Sequence, residues 1–280
     1  MKLIIESGAT KSDWCLVGDD GMAARQFQTP GRNFSTMSGE DIRGIISSAL
    51  PLLGEASFTQ VFLYAAGLIE GSPAYEDALS VFSGVFPGAE VECASDMLAA
   101  ARAVCGRFEG IAAILGTGSN SCFYDGSRIL RNVRSGGFIL GDEGGGACLG
   151  KLFLSDYIKG IVPEPMASEF GAAFDVDYMT VVDRVYRQPA PSAYLGSFAP
   201  WILDHRASSA YIDGLVRRNF SDFFDRSLLR HGRNDVPVGF VGGFAAACSD
   251  ILMEIAEEKG LAVSRILASP IEGLITYHAI

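Results

Sequence analysis

The amino-acid sequence predicts an α/β protein built from two copies of one unit. Three observations carry that expectation. Short apolar runs set off by Gly-rich turns alternate with longer helical patterns. A three-strand meander with a polar Gly turn occurs twice, about a hundred residues apart, and repetition at such a distance is the mark of duplication. Each copy then continues into alternating helix and strand. One doubly wound domain would also suit this length, but two similar turns in matching contexts favour duplication.

In the first copy, LIIES (3–7), WCLVG (14–18) and ARQFQT (24–29) read as strands joined by the turns GATK and DDGM. A helix is predicted from about Glu40 to Leu53, with Ile42, Ile45, Ile46, Ala49 and Leu50 on one face. Next come a strand VFLYAAG (61–67), a helix over roughly 74–85, a strand AEVECAS (89–95) and a helix from about Met97 to Cys105. The second copy opens with three strands in GIAAILGTGSNSCFYDGSRILRNV (110–133). Helix dominates from about Gly144 to Ser227. VPVGFVGG (236–243) reads as a strand, followed by one helix from about Phe244 to Lys259. A strand SRILASP (264–270) and a last helix over 271–280 finish the chain. The boundary falls near Gly106–Gly110. The expected domains are 1–107 and 108–270, with the helix 271–280 completing the first.

Composition narrows the function. The 280 residues are 49% hydrophobic and 20% charged, as in a soluble globular protein. No apolar run reaches the ~18 residues of a membrane span, and the N-terminus does not read as a signal peptide. A net charge of −11, with Lys and Arg scattered, argues against nucleic acid as a partner. A single nucleotide remains compatible, because backbone N–H groups and a metal ion can bind its phosphates. None of the six cysteines sits in a CxxC pair. They read as small buried hydrophobes in a reducing cytoplasm, without a zinc or iron–sulfur site. His205, His231 and His278 show no metal-ligand spacing.

Two Gly turns suit phosphate. The first is Glu6-Ser7-Gly8-Ala9-Thr10-Lys11-Ser12, where Gly8 allows close approach and Thr10, Lys11 and Ser12 add donors. The second is Leu115-Gly116-Thr117-Gly118-Ser119-Asn120 at the matching place in the second copy. Neither a P-loop nor a Rossmann fingerprint is present, because a hairpin follows each turn. Alone, either would pass for an ordinary hairpin turn; the matched pair is more specific. Val238 to Phe244 is a strand ending in Gly242-Gly243 before a helix, a junction where a purine can lie on backbone and where a plain turn would look the same.

Acids and amides supply the remaining candidates. Asp96 ends a strand before an Ala-rich helix. Its carboxylate can accept the proton of an attacking hydroxyl, and either Ser95 or Asp96 can cap the helix. Asp142 and Glu143 lie among six glycines in Gly136 to Gly146. They can bind sugar hydroxyls, or they can form an acidic helix start. Asn33, in the loop Pro30-Gly31-Arg32-Asn33-Phe34, can both donate to and accept from a hydroxyl.

These motifs, in this order over essentially the whole chain, resemble the N-acetylglucosamine kinase and BadF-type ATPase family of the actin-like, sugar-kinase and Hsp70 superfamily. LGTGSN and GDEG are the most specific matches; Ala9 stands where the family usually has Gly. The resemblance implies duplicated actin-like (ribonuclease H-like) ATPase domains with an ATP and sugar cleft between them. It implies an ATP-dependent hexosamine kinase, with N-acetylglucosamine 6-phosphate the leading product. Glu6 would act on Mg2+ through water. Gly8, Thr10, Lys11, Ser12, Gly116, Thr117, Gly118 and Ser119 would hold ATP phosphates. Gly242 and Gly243 would border the adenosine. Asp96 would be the base toward the sugar 6-hydroxyl. Asn33, Asn120, Gly137, Asp142 and Glu143 would bind the sugar. A cytoplasmic homodimer would be usual for the family. Phe138 stands where the animal enzymes carry Trp, and the segment around it is shorter. The other branch of the resemblance implies an activator ATPase of a 2-hydroxyacyl-CoA dehydratase or benzoyl-CoA reductase, which needs closely placed Cys. A non-catalytic sugar or nucleotide sensor is the third reading.

Overall fold

The structure is a computed structural model that describes residues 1–8, 11–31 and 33–279. The chain forms two compact units. One comprises Met1–Glu109, Tyr124–Ile129 and the segment from Ser269 onward; the other comprises Gly110–Phe123 and Leu130–Ala268.

The first unit holds strands β1 (Lys2–Ser7), β2 (Lys11–Val17), β3 (Ala23–Pro30), β4 (Gln60–Ala65) and β5 (Glu90–Ser95). Their order in the sheet is β3-β2-β1-β4-β5. The first three strands form the expected antiparallel meander, while β4 and β5 add in parallel. Helices α1 (Gly39–Leu53) and α2 (Pro73–Val85) connect these strands, and α3 (Asp96–Cys105) follows β5. Parallel neighbours require such crossovers.

The second sheet, most of it in the second unit, holds β6 (Glu109–Leu115), β7 (Ser119–Asp125), β8 (Ile129–Val133), β9 (Val238–Val241) and β10 (Val263–Leu267). It runs β10-β9-β6-β7-β8. Counted within each copy, both sheets share one order: third, second, first, fourth, fifth strand. β9 pairs in parallel with both β6 and β10, as β4 does with β1 and β5. The duplication therefore extends to topology. The copies differ where α1 alone joins the third and fourth strands of the first. The second has a chain of helices there: α4 (Gly137–Leu140), α5 (Gly146–Ile158), α6 (Met166–Phe174), α7 (Tyr178–Tyr186), α8 (Pro191–Gly196), α9 (Ala199–Asp204) and α10 (Ala210–Arg226). After β9 come α11 (Gly243–Ala247) and α12 (Ser249–Glu258), and α13 (Ile271–His278) ends the described chain.

Each unit has its own core. Leu3, Ile5, Trp14, Ile46, Leu63 and Phe82 centre the first. Leu115, Phe153, Phe170, Phe220, Phe224 and Phe240 centre the second. On the other face of the first sheet, α13 packs against α3 so closely that a Cβ at Gly273 would lie 2.4 Å from the Ala103 carbonyl oxygen.

Two local expectations change. α1 buries Ile42, Ile46, Ala49 and Leu53, whereas Leu50 is exposed. At about 100° per residue, Leu50 sits about 80° from Ile42, outside that stripe. The single helix expected over 244–259 is broken at Cys248, whose φ of −118° and ψ of 25° leave the helical region. All six cysteines are free thiols, and five of them are buried. Among the described residues, no helix is long and apolar enough to cross a membrane.

Candidate active site

In the first unit the chemistry gathers at the carboxyl ends of β1, β4 and β5. Register aligns Ser7 with Ala65, and Ala65 with Ser95, so the three strands finish together. Such an edge is where open α/β sheets bind ligands. Glu6, one residue from the end of β1, stands directly opposite Asp13 on β2. Like charges opposed in a sheet repel. The Glu6 carboxyl is pushed up from 4.5 to about 8, first by burial, then by Asp13 and Asp96, with Lys11 acting the other way. Asp13 is buried and fully engaged. It accepts from Gln28 Nε2 at 2.6 Å and from Ser269 Oγ at 3.4 Å, and pairs with Lys11 Nζ at 2.9 Å.

Asp96 opens α3. Ser95 is the cap, its hydroxyl accepting from the Leu98 N–H at 3.2 Å, which resolves the two capping alternatives. Asp96 Oδ1 accepts from its neighbour's Met97 N–H at 2.8 Å. Burial raises the Asp96 carboxyl, and backbone N–H bonds partly offset the rise. Asp13 and Asp96 thus both act on the buried Glu6 carboxyl, with Lys11 the opposing charge. That donor set fits a divalent cation held largely through water. Among the described residues, no three such side chains converge closely enough to ligate a metal alone.

The turn itself is tight. Gly8 N donates to the Lys11 carbonyl at 3.0 Å. Gly31, buried in the following loop, rests on this turn: a Cβ there would lie 2.3 Å from both the Gly8 oxygen and the Lys11 nitrogen. Thr10, predicted at the phosphates, and Ala9 and Arg32 lie outside the described residues. Ser12 departs from expectation. Its hydroxyl is buried and bonded to Ser7 Oγ at 2.7 Å, because the two serines are cross-strand partners. Asn33 is exposed and caps a 3-10 turn, its Oδ1 accepting from Ser35 N at 3.0 Å and from Ser35 Oγ at 2.8 Å.

In the second unit the two Gly motifs form one assembly. Gly116 N donates to the Gly118 carbonyl at 3.0 Å. The carbonyls of Gly116 and Thr117 accept from the N–H groups of Gly146 and Ala147, each at 2.8 Å. The turn thereby satisfies the first amides of α5, which has no side-chain cap. Gly145 must lack a Cβ, since one would lie 2.8 Å from the Thr117 oxygen. Asp142 has φ 56°, and its Oδ1 accepts from Ser119 N at 3.3 Å. The acids precede α5 rather than starting it, which removes the helix-start alternative. Glu143 Oε1 accepts from Arg226 Nη1 at 3.0 Å. Gly137, exposed and at φ 72°, begins the short α4.

Gly242 N donates to the Leu267 carbonyl at 2.8 Å, and a Cβ there would meet the Leu115 oxygen at 2.1 Å. Gly243 has open space beside it. A cavity of about 520 Å³ lies against the end of α11, walled by Ala247, Leu203, Arg206, Ser208 and Asp213. Arg206 is tied to Asp250 and, at 3.4 Å, to Asp213.

Sequence reasoning missed Asp13, Gly31, Gly145 and Asn219. Asp13 could have been found by pairing residues outward from the hairpin turn. Asn219, on α10 and fully buried, accepts from Gly144 N at 3.0 Å and donates to the Gly145 carbonyl at 3.3 Å. No local pattern in α10 announces that clamp.

No family model matches the chain, and no curated protein does. Solved structures do. A Porphyromonas gingivalis protein, provisionally named an N-acetylglucosamine kinase, is 40% identical over 100% of this chain and 99% of its own, with a TM-score of 0.93. The chain belongs to the N-acetylglucosamine kinase and BadF-type ATPase family. A Chromobacterium violaceum protein with the same provisional name covers 99% of the chain and 98% of its own, at 18% identity and a TM-score of 0.77. A glucokinase of the ROK family from Streptomyces griseus, solved with glucose and AMPPNP, covers 99% and 97% at 14% identity and a TM-score of 0.57. These two share the fold. The family's duplicated actin-like architecture is the one described above.

Proposed function

We propose that this protein is an ATP-dependent sugar kinase that phosphorylates the 6-hydroxyl of a hexosamine, N-acetylglucosamine first among them. The observation that carries the reading is Asp96: a carboxylate at a strand end, with one oxygen fixed by the Met97 N–H and its proton affinity raised by burial. A raised pKa makes a carboxylate a better proton acceptor toward a hydroxyl. The 40% identical relative's provisional name supports the same chemistry.

In this reading Asp96 takes the proton as the hydroxyl attacks the terminal phosphate of ATP. Lys11 and the amides of Gly8 and of Gly116 to Ser119 bind phosphate oxygens. Glu6, with Asp13 opposite, attracts Mg2+ through water. Bound Mg2+ would neutralise charge on the phosphates. Burial first, then Asp13 and Asp96, holds Glu6 protonated near neutral pH, and a cation held there would favour its carboxylate form. Gly242 and Gly243, at the junction of β9 and α11, are assigned to the adenosine. Asn33, Asn120, Gly137 and Asp142 are assigned to the sugar.

The test is ADP release with Mg-ATP across N-acetylglucosamine, glucosamine, N-acetylmannosamine and glucose. Stimulation by N-acetylglucosamine is expected. Asp96→Asn should cut turnover by about 10²–10⁴-fold while still binding ATP. Near-normal turnover in that variant overturns the role of Asp96, and no stimulation by any sugar overturns the kinase reading.

A further inference from the structure

Asn120 follows the Gly116–Ser119 turn on β7, and Asn132 lies beside it on the neighbouring strand β8. Asn120 Oδ1 accepts from the Ser121 N–H at 2.9 Å and from Asn132 Nδ2 at 2.9 Å. An amide oxygen has two acceptor sites, so both are filled. A backbone N–H can only donate, which settles which end of the Asn120 amide is oxygen. Asn132 Nδ2 also donates to the Ser121 carbonyl at 3.0 Å, which settles its own orientation in the same way. The backbone beneath is held too. Ser121 Oγ is buried, at 2.6 Å from Ser227 Oγ and 2.9 Å from His231 Nε2.

What Asn120 has left to offer is its NH2 group alone. We propose that Asn132 is a positioning residue that locks the Asn120 amide with its NH2 outward, so that Asn120 donates to an acceptor oxygen of the bound sugar. This rests on the kinase reading above, in which Asn120 meets the sugar. The lock makes the site selective. A hydroxyl or amide-carbonyl oxygen matches it, and a protonated amine at that point does not. A freely turning amide would accept either.

Two measurements test this. The first is a double-mutant cycle on N-acetylglucosamine binding by calorimetry, using the wild type, Asn120→Ala, Asn132→Ala and the double variant. Each single change should weaken binding about tenfold, the worth of one good hydrogen bond. The double variant should bind no worse than Asn120→Ala, because Asn132 acts through Asn120. Asn132→Asp keeps the shape but loses the donors, and should bind as poorly as Asn132→Ala. Wild-type affinity in Asn132→Ala, or single penalties that multiply, overturns the inference. The second measurement needs no sugar. In the amide NMR spectrum, one Asn132 side-chain proton should be shifted downfield by its bond to Asn120 and should lose that shift in Asn120→Ala. If the shift persists, the lock does not exist, whatever the sugar does. If the lock is seen but Asn120→Ala binds sugar normally, the assignment of Asn120 to the sugar has failed, and the selectivity argued here falls with it.

Discussion

Acid should loosen the first unit through His278. This residue ends α13 and is buried, its ring stacked on Phe62 with centroids 3.7 Å apart and its Nε2 2.8 Å from Tyr64 Oη. Tyr64 Oη already accepts from Arg102 Nη1 at 2.6 Å, and Lys2 binds the His278 carbonyl. An imidazolium here would be a further buried cation beside Arg102. Burial first, then Arg102, Lys2 and Arg107, lower its pKa from 6.5 to about 3. The unfolded chain therefore takes up this proton near pH 6.5, while the folded chain resists it until near pH 3. The stability contributed is complete above pH 6.5 and is lost as the pH falls toward 3. From pH 6.5 to pH 5 is 1.5 units, or about 2 kcal/mol at 1.36 kcal/mol per unit. His278→Gln removes the titration and keeps a polar group toward Tyr64. Urea melts at pH 8 and pH 5 should be followed by Trp14 fluorescence in a Trp201→Phe background, since these are the only two tryptophans. Trp14 lies in the core of the first unit. At pH 8 the variant should be the less stable protein, having lost the stacking on Phe62. At pH 5 the gap should close by about 2 kcal/mol. Other titrating groups are present in both proteins and cancel in the comparison. An equal gap at both pH values would refute the reasoning.

Glu6 should show the opposite sign. Its carboxyl is raised from 4.5 to about 8, so its favourable contribution is present below pH 4.5 and is lost as the pH rises through 8. Glu6→Gln should therefore melt higher than the wild type at pH 8, show little difference at pH 4, and lose sugar-stimulated ADP release; a lower melting point at pH 8 would count against the cost of a buried charge beside Asp13 and Asp96. Asn219→Leu strips partners from the Gly144 amide and the Gly145 carbonyl. It should cost about 1–3 kcal/mol in denaturant melts and weaken ATP binding measured by calorimetry. Unchanged stability would mean that water replaces the clamp.

Much of this protein is legible in its sequence because the relevant physics is local. Alternating apolar runs and Gly turns place the strands, and repetition of that pattern predicts two copies, which the two sheets carry down to the same strand order. Asp96 and the glycine motifs stand out because each is a residue type with a local reason to be where it is. Failures begin where neighbours in space are distant in sequence. Leu50 looks like part of an apolar face until packing selects the narrower stripe of Ile42, Ile46, Ala49 and Leu53. Ser12 looks like a phosphate donor until register puts it against Ser7. Glu143 gives no hint in the sequence of its partner Arg226, 83 residues away. The two Gly motifs of the second unit read as separate signals, yet α5 is capped by the carbonyls of the first and begins on the last glycines of the second. The sequence by itself determined the fold class, the duplication and the chemical types at the site. Only the tertiary structure decided which polar groups are already spent on one another, because a hydrogen bond between Asn219 and Gly144, or a repulsion between Glu6 and Asp96, depends on distances that no spacing along the chain encodes.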